Sequence, residues 1–383
     1  MNQENYIRQQ VRLYPNKEQI QFLNQDIGNQ RFVWNHFLAE TKKRYEEKKK
    51  FLFFKDTCSL LVDLKKENEF LQVGNSQALQ QTLRDFDLAL KGSFRQQKGF
   101  PRFKKKSSGG SFRLPQGCSV INGKVKLPKI GAIKSRGTLP ENFNSVTIIR
   151  KPSGKFYASF VVPFILPEKV EIKSSVGIDL NSNHFVVLSD GSAIKNPKFL
   201  KEKEIRLKRY QKSYSRKQKG SKNQNKARIK VARYHEKIGN CQKDFLEQLT
   251  TNLVKTYDHL SIEDLNVKGM QQFNGRMIGM APFGSFRNKL TWKANKYGKH
   301  LEVINRFCPT SKVCSECGQE LKLTLKDRWI SCDCGNSIHR DRNAAINIHR
   351  VGTTRINACG DRIQPTDFSS FSWLSLKQEV SSL

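Results

Sequence analysis

Acidic residues are scarce in this sequence of 383 residues, which has 34 Asp and Glu against 69 Lys and Arg and a net charge of +35. An excess this large predicts a polyanionic partner, with nucleic acid expected and a membrane surface the weaker alternative. Long apolar runs are missing too, since none approaches the roughly 18 residues of a membrane-spanning helix. The first residues also lack the basic-then-apolar pattern of a signal peptide. We therefore expect a soluble, cytoplasmic protein without a membrane partner.

Cysteine is sparse and uneven, with nine residues of which four lie between Cys314 and Cys334. An odd number clustered in this way argues for a reducing compartment and a metal site rather than a disulfide framework. Hydrophobic residues make up 37% of the chain and include 25 Phe and 4 Trp, which excludes wholesale disorder. The length predicts two or three domains.

The four clustered cysteines have the spacing of a zinc site. Cys314-x2-Cys317 and Cys332-x-Cys334 each precede a glycine, which allows the backbone to turn so that amides face the thiolates. Four thiolates predict one tetrahedral structural zinc with no open position for catalysis. The alternative is a set of free buried cysteines. Cys308 is a possible spare ligand, although packing beside a neighbouring aromatic residue is its simpler role.

Three acidic residues stand in or beside segments that are fit for burial. Asp179 lies in the strand-like 176–180, Glu263 lies in 260–265, and Asp341 comes just before a predicted helix. Buried carboxylates are costly unless paired or metal-bound, so three that converged on one sheet edge could hold two magnesium ions for phosphodiester hydrolysis. Taken one at a time, Asp179 could instead be a turn residue at a strand end, Glu263 the surface partner of a lysine, and Asp341 a helix N-cap.

Local patterns predict a small β module with a helical insertion, followed from Ser175 by a second domain. A strand is expected over 6–14, and Asn16 with Gln19 resembles an N-cap pair that starts a helix. A second helix is expected over 77–95. Further strands are expected over 120–127, 146–149, 157–162, 176–180 and 185–188, with a hairpin turn at Asp190-Gly191.

The most basic stretch, 198–237, has 16 cations and three acids. Its apolar residues are sparse, which predicts two solvated helices joined at Gly220-Ser221. A charge run of this kind is often only a solvated face. Here the large uncompensated excess favours contact with phosphates.

Several blocks resemble the signature blocks of the TnpB (OrfB) family, which bacterial insertion sequences encode and which is ancestral to type V CRISPR effectors. They are VGIDL at 176–180, SIEDLNVKGM at 261–270, PTSKVCSECG at 309–318 and HRDRNAAINI at 339–348, and the DRNAA block together with the four cysteines is the most diagnostic part. RFVWNHFL at 31–38, NSQALQQTL at 75–83, GFPRFKKK at 99–106 and GSKNQNKARIKVARYHEKI at 220–238 extend the resemblance over essentially the whole chain. Two departures are Asn181, where the family often has glycine, and Glu247, where it usually has histidine.

The resemblance implies an α/β fold, in which an RNase H-like RuvC nuclease domain contains an inserted zinc ribbon and follows a wedge β-barrel with a helical recognition insert. The implied division is wedge over 1–15 and 99–170, recognition insert over 16–98, nuclease over 171–307 and 338–352 with the basic hairpin at 198–238, zinc ribbon over 308–337, and a flexible tail over 353–383.

The resemblance also implies an RNA-guided double-stranded DNA endonuclease, with one chain per guide RNA. The guide RNA, derived from the end of the element, pairs with target DNA beside a short adjacent motif. Carried over residue by residue, the catalytic acids that hold two Mg²⁺ ions are Asp179, Glu263 and Asp341, and the Zn²⁺ ligands are Cys314, Cys317, Cys332 and Cys334. Ser76, Gln77 and Gln80 match a region that faces the DNA duplex. Further expected nucleic-acid contacts are Arg102, Lys104, Lys217, Lys219, Lys222 and Lys226.

Other functions fit the sequence less well. A guide-dependent DNA-binding repressor would be marked by the loss of one catalytic acid, and all three are present. A compact type V CRISPR effector shares the motifs, but this chain is at the short end for one. A transposase would need a separate strand-transfer site, which the sequence does not show. A purely structural RNA-binding protein accounts for the charge but not for three acids in register with a zinc ribbon.

Overall fold

The chain forms two compact units in the computed structural model, which describes residues 5–96, 98–181, 184–197, 199–266, 282–324 and 327–360. The first unit comprises 1–165 and 207–236, and the second comprises 166–206 and 237–383. This differs from the expected division, which put the whole basic hairpin with the nuclease. The physical reason is local: Arg228 and Arg233 donate hydrogen bonds to the carbonyls of Ser107 and Ser153 in the first unit.

A seven-stranded antiparallel sheet forms the first unit's β module, in the order β2-β6-β7-β1-β5-β4-β3. Its end strands are β2 and β3, so in the described residues strand pairing does not close the expected barrel. The strand expected over 120–127 is instead a hairpin, because Asn122 and Gly123 adopt positive φ. The strands are β1 Asn5–Tyr14, β2 Gly110–Leu114, β3 Ser119–Ile121, β4 Lys124–Leu127, β5 Gly131–Arg136, β6 Ser145–Arg150 and β7 Phe156–Phe164.

The helical insertion between β1 and β2 has its own core. Asn16 and Gln19 form the predicted capping box, each side chain bonded to the other's backbone N–H. Trp34, Phe37 and Phe86 are buried among leucines of the facing helices. The second and third helices were not expected from the sequence patterns. The four helices are α1 Lys17–Glu46, α2 Phe54–Glu67, α3 Phe70–Val73 and α4 Ser76–Arg95.

Two helices, α5 Phe199–Ser215 and α6 Lys222–Thr256, form the basic hairpin. The predicted junction is confirmed, since Gly220 has φ +84° and the Ser221 hydroxyl accepts a bond from the Gln224 N–H at 3.0 Å. In the first unit, Glu236 of α6 accepts a 2.7 Å hydrogen bond from the Tyr157 hydroxyl.

A five-stranded mixed sheet lies at the centre of the second unit, in the order β10-β9-β8-β11-β12. Strands β8, β11 and β12 are parallel, whereas β9 and β10 are antiparallel to their neighbours. The strands are β8 Ser175–Asp179, β9 His184–Leu188, β10 Ala193–Lys195, β11 His259–Glu263 and β12 His300–Ile304.

Helices and a small ribbon complete the second unit. Helix α7 Phe283–Lys296 contributes Phe286, whose ring lies edge-on to buried Phe185 with centroids 5.6 Å apart. Strands β13 Trp329–Ser331 and β14 Ser337–His339 form a hairpin that leads into α8 Arg340–Gly360. Helix α8 begins one residue before Asp341 rather than after it, and it covers part of the expected tail. The rest of that tail, 361–383, lies outside the described residues. Among the described helices, none is long and apolar enough to cross a membrane.

Candidate active site and cysteine cluster

Two of the predicted catalytic acids end adjacent parallel strands. Asp179 is the last residue of β8 and Glu263 the last of β11. The two strands pair in a register that sets Ile178 opposite Ile262, one residue before each acid. Carboxyl ends of parallel strands lie at the same edge of a sheet, so this register makes the two carboxyl groups neighbours.

Helix α8 brings the third acid, Asp341, to the same edge by packing directly on the sheet. A Cβ at Gly177 would overlap the backbone carbonyl of Ala345, and a Cβ at Gly352 would overlap the hydroxyl of Ser261. Two glycines, one in a strand and one in the helix, therefore permit a helix–sheet approach that larger residues would prevent. Asp341 lies in the first turn of this helix.

Burial and neighbouring negative charges raise the pKa values of two of the three acids, Asp179 and Glu263. Burial and then the negative charge of Asp341, with a smaller effect of Glu263, raise the pKa of Asp179 to about 7. Burial and the charge of Asp264 raise the pKa of Glu263 to about 7. Desolvation and like charges both disfavour the ionised form, and a bound cation would offset both. The donor set therefore fits a hard divalent ion with oxygen ligands.

Neighbouring polar groups orient these acids. The Asn181 amide donates a 3.3 Å bond to Asp179 Oδ2, and Asn181 Oδ1 accepts from the backbone N–H of His184 at 2.9 Å. The departure from glycine at this position therefore supplies a hydrogen bond to the first acid. The Thr310 hydroxyl lies 3.4 Å from Glu263 Oε2.

The four predicted zinc ligands come together in the second unit. Their Sγ atoms all lie within 4.8 Å of one another, with 3.7 Å between Cys314 and Cys334 and 3.5 Å between Cys317 and Cys332. A tetrahedral zinc with bonds of about 2.3 Å would separate sulfur atoms by about 3.8 Å, so the cluster fits that ion. Within the described residues, no other group of three or more potential ligands, the acids included, gathers its donor atoms in this way.

The backbone around the cysteines turns as expected. Gly318 and Gly335 have φ of +79° and +88°, and their N–H groups donate to the carbonyls of Cys314 and Cys332. Burial alone would raise the pKa of the Cys314 thiol, but hydrogen bonds from the Asn336 side chain and nearby backbone N–H groups lower it to about 6. These donors stabilise a thiolate, the form that binds metal.

Two asparagines that the sequence did not single out join the cysteine cluster to the acid-bearing helix. Asn343 accepts a 2.8 Å bond from Ser315 N–H and donates a 2.7 Å bond to the Val313 carbonyl. Asn347 donates to the carbonyls of Thr310 and Val313 at 2.8 Å. Both asparagines are fully buried. Two amides four residues apart on the apolar face of one helix are the signal that could have identified them.

The predicted DNA-facing residues lie at the N-terminus of α4. Ser76 and Gln77 line a cleft of about 520 Å³ in the first unit, together with Gln116 and Lys129. Gln80 is exposed one turn further along α4.

The predicted basic contacts fall into two groups. Arg102 and Lys104 lie beside Trp34 of α1. The Arg102 carbonyl accepts a hydrogen bond from Trp34 Nε1 at 3.1 Å, and Lys104 Nζ lies 3.6 Å from the centre of the Trp34 ring. In the second group, all four residues are exposed at the turn of the basic hairpin, namely Lys217, Lys219, Lys222 and Lys226.

Comparison with known proteins identifies the family. Residues 149–274 match a family described as "Probable transposase" (OrfB), residues 283–348 match "Cas12f1-like, TNB domain", and residues 3–50 match "Helix-turn-helix domain". The described part of the span that matches "Helix-turn-helix domain" contains strand β1 followed by one continuous helix, α1.

Whole-length relatives agree with these matches. The chain is 36% identical to a "Putative RNA-guided DNA endonuclease" of Streptomyces pristinaespiralis, over 96% of this chain and 94% of the relative. It is 30% identical to the Escherichia coli protein of that name, InsQ, over 92% and 93%. A solved Cas12f1 complex with guide RNA and target DNA shares the fold, with a TM-score of 0.54 at 15% identity over 87% of this chain and 83% of the other. The chain belongs to the TnpB (OrfB) family.

Proposed function

We propose that this protein is an RNA-guided double-stranded DNA endonuclease whose active site is the sheet edge with Asp179, Glu263 and Asp341. The observation that carries this proposal is the convergence of three acids from distant parts of the sequence. They come from two parallel strands and a helix packed flush on them, within a chain of net charge +35. A cluster of carboxylates in a strongly basic protein is best explained by metal-dependent chemistry on a polyanion.

The protein's own groups set up the reaction. Asp179, Glu263 and Asp341 would hold two Mg²⁺ ions, which when bound activate water and stabilise the leaving oxygen of a phosphodiester. Asn181 and Thr310 fix the orientation of two of these carboxyl groups through the hydrogen bonds described above. Because the pKa values of Asp179 and Glu263 are raised to about 7, a cation must displace protons from these carboxyl groups near neutral pH, and once bound it would stabilise their ionised form.

The remaining parts of the chain receive roles in the same proposal. Cys314, Cys317, Cys332 and Cys334 hold one structural zinc, which fixes the segment that Asn343 and Asn347 join to α8. The strand order and directions of the second sheet support an RNase H-like nuclease domain. The first unit supplies the wedge and the recognition insert, and the cleft beside Ser76 and Gln77 reads the motif next to the target. One guide RNA binds each chain, and the target DNA places the enzyme in the bacterial cytoplasm.

The test begins with the RNA that co-purifies with the full-length protein. This RNA is sequenced, and the complex receives a library of DNA duplexes complementary to it with randomised flanking positions. We expect cleavage of both strands beside a short flanking motif in the presence of Mg²⁺. Asp179→Ala should abolish cleavage while guided binding stays intact, and chelation of divalent metal should have the same effect. Removing a metal ligand costs several kcal/mol in the barrier, so residual activity should be far below a few per cent.

Two outcomes would contradict the proposal. Cleavage by Asp179→Ala at a few per cent of the wild-type rate would show that the acids are not the active site. Guided binding by the wild-type protein without any cleavage would instead indicate a guide-dependent DNA-binding protein.

A further inference from the structure

An exposed tryptophan lies on the ribbon hairpin that leads into the acid-bearing helix. Trp329 begins strand β13 and is 64% exposed, more than either other tryptophan in the described residues. The next residue, Ile330, is fully buried, because alternate residues of a strand point to opposite faces. The indole therefore points away from the interior of the ribbon and presents most of its apolar surface to solvent.

Two contacts connect this indole to the third acid. Trp329 pairs with His339 in the β13–β14 register, and their rings meet edge-on with centroids 5.8 Å apart. His339 Nδ1 accepts a 3.3 Å hydrogen bond from the Asp341 N–H and lies 3.8 Å from Asp341 Oδ2. A stacked nucleic-acid strand advances about 3.4 Å per nucleotide, so Trp329 lies within a few nucleotide steps of this acid.

An electrostatic effect connects the same hairpin to the first acid. Burial and the charge of Asp341 raise the pKa of Asp179, whereas the positive charge of Arg340 lowers it. The N–H of Arg340 donates at 2.9 Å to the carbonyl of Arg328, the residue before Trp329. The hairpin therefore reaches the edge where the acids converge, with one arginine beside the indole and another across from it.

Packing within the ribbon does not account for a tryptophan at this position. The apolar residues buried in the described part of the ribbon are Val313, Cys314 and Ile330, and the indole is not among them. A cross-strand aromatic pair contributes about 0.2–1 kcal/mol, which a smaller ring would also supply. A flat exposed ring beside cations is instead the kind of surface on which unpaired bases stack, because every base has a π-face.

We propose that Trp329 stacks on an unpaired base of the DNA strand that is being cut and thereby holds a nearby phosphate at the acids. This inference rests on the proposed nuclease function. Pairing of the guide RNA with one DNA strand leaves the other strand unpaired and flexible. A fixed stacking surface a few nucleotides from the acids restricts that flexibility, so a phosphate lies in the site for more of the time. Stacking tolerates any base, which suits an enzyme whose guide supplies the sequence specificity.

Photo-crosslinking tests the contact itself. The guided complex is assembled with Asp179→Ala protein, so that the DNA stays uncut, and with target DNA that carries 5-iododeoxyuridine at single positions around the cut. Irradiation joins this base to an aromatic ring on which it stacks, and peptide mapping identifies the ring. We expect a crosslink to Trp329 from one or a few adjacent positions, and none when the DNA is not complementary to the guide.

A second exposed tryptophan provides a matched control. Trp292 of α7 is 43% exposed, and Lys296 Nζ lies 5.2 Å from the centre of its ring. Phe286 of α7 shares a buried core with Ile178, whereas α8 packs against the preceding residue, Gly177. Alternate strand residues point to opposite faces, so α7 and α8 cover opposite faces of the sheet. Trp292→Leu therefore removes an exposed indole on the side of the sheet away from the acids.

Single-turnover cleavage, started by adding Mg²⁺ to the preformed guided complex, measures the functional effect. We expect Trp329→Leu to lower the cleavage rate by about 5- to 150-fold, the effect of losing one base–aromatic stack. Guided DNA binding, zinc content and thermal unfolding should stay close to those of the wild type. Trp329→Phe keeps a ring and should lose less activity than Trp329→Leu, which keeps only apolar volume. Trp292→Leu should cleave at the wild-type rate.

The possible results separate this inference from the proposed function. A wild-type complex that cleaves, together with a Trp329→Leu complex that cleaves equally fast, overturns the stacking assignment and leaves the nuclease intact. The absence of a guided crosslink to Trp329 overturns it as well, and so does a rate decrease that accompanies loss of zinc or that Trp292→Leu reproduces. A wild-type complex that does not cleave overturns the nuclease function and this inference with it. If Trp329→Leu does not fold, Trp329→Phe and the crosslink decide.

Discussion

Gly177 of strand β8 lies directly against the backbone of Ala345 in helix α8, with no room for a side chain between them. This contact sets the distance between the strand that ends in Asp179 and the helix that begins beside Asp341. A larger residue at position 177 would move the helix, and with it the third acid of the proposed site.

Gly177→Ala should therefore impair both stability and cleavage. The added Cβ would meet the Ala345 carbonyl and the backbone and Cβ of His349, and main-chain atoms cannot move aside as a flexible side chain can. We expect a decrease of about 1–3 kcal/mol in the free energy of unfolding of the second unit, as for other overpacked cores. Thermal unfolding and cleavage assays measure the two effects. Gly239→Ala in α6, where a Cβ meets nothing within 4 Å, should leave the protein at least as stable.

Removal of one thiolate should release the zinc and disturb the active site. Metal analysis should find about one zinc per chain in the wild-type protein and much less in Cys317→Ser. Cleavage should fall as well, because Asn343 and Asn347 join the loop at Val313 to the helix of Asp341. Cys241→Ser, outside the four-cysteine cluster, should change neither zinc content nor activity. A metal-free preparation with full activity would rule out the structural role.

Glu236 should stabilise the first unit in a pH-dependent way. Burial alone would raise its pKa, but the hydrogen bond from Tyr157 and the ion pair with Lys155 lower the pKa from 4.5 to about 2. For an acid with a lowered folded-state pKa, the stabilisation is complete above pH 4.5 and disappears as the pH falls through about 2. Because the side chain is only 7% exposed, we expect Glu236→Gln to lower the free energy of unfolding by about 3 kcal/mol at neutral pH.

Denaturant unfolding between pH 7 and pH 2 measures the Glu236 effect. The wild-type and Glu236→Gln proteins should differ most at neutral pH and converge near pH 2. Asp63→Asn breaks an ion pair with Lys66 whose side chains are 65% and 73% exposed, and it should have little effect at any pH. Parallel stability curves for wild-type and Glu236→Gln proteins would contradict the assignment.

The exposed turn of the basic hairpin should bind nucleic-acid phosphates. Reversing Lys217, Lys219, Lys222 and Lys226 to Glu should weaken binding of guide RNA or the guided duplex. Each phosphate that is no longer neutralised should also reduce the log–log salt slope of binding by about 0.7–0.9. Helical cations that follow an A-form backbone recognise shape rather than sequence. Arginine at the same four positions should keep the wild-type slope, and zinc content should not change. Unchanged affinity and slope in the Glu variant would show that the turn is only a solvated face.

Some features of this protein were determined by short stretches of sequence. The capping box of Asn16 and Gln19 and the helix junction at Gly220 depend on residues a few positions apart, whose hydrogen bonds and φ angles are local. The cysteine spacing likewise predicted the cluster, because each pair lies within one tight turn. Local reasoning failed where a turn was not recognised, as at Asn122-Gly123, which divides one expected strand into a hairpin.

The tertiary structure alone decided how distant residues meet. No local pattern predicts that β8 pairs in parallel with β11, which makes Asp179 and Glu263 neighbours. Nor does any local pattern predict that Gly177 allows α8 to pack closely against the sheet. The same holds for Asp264 with Arg306 and for Asn343 with Ser315, since these residues are 42 and 28 positions apart. Their partners are selected by burying apolar faces of whole strands and helices against one another. That selection depends on the shape of the assembled core and not on any single segment.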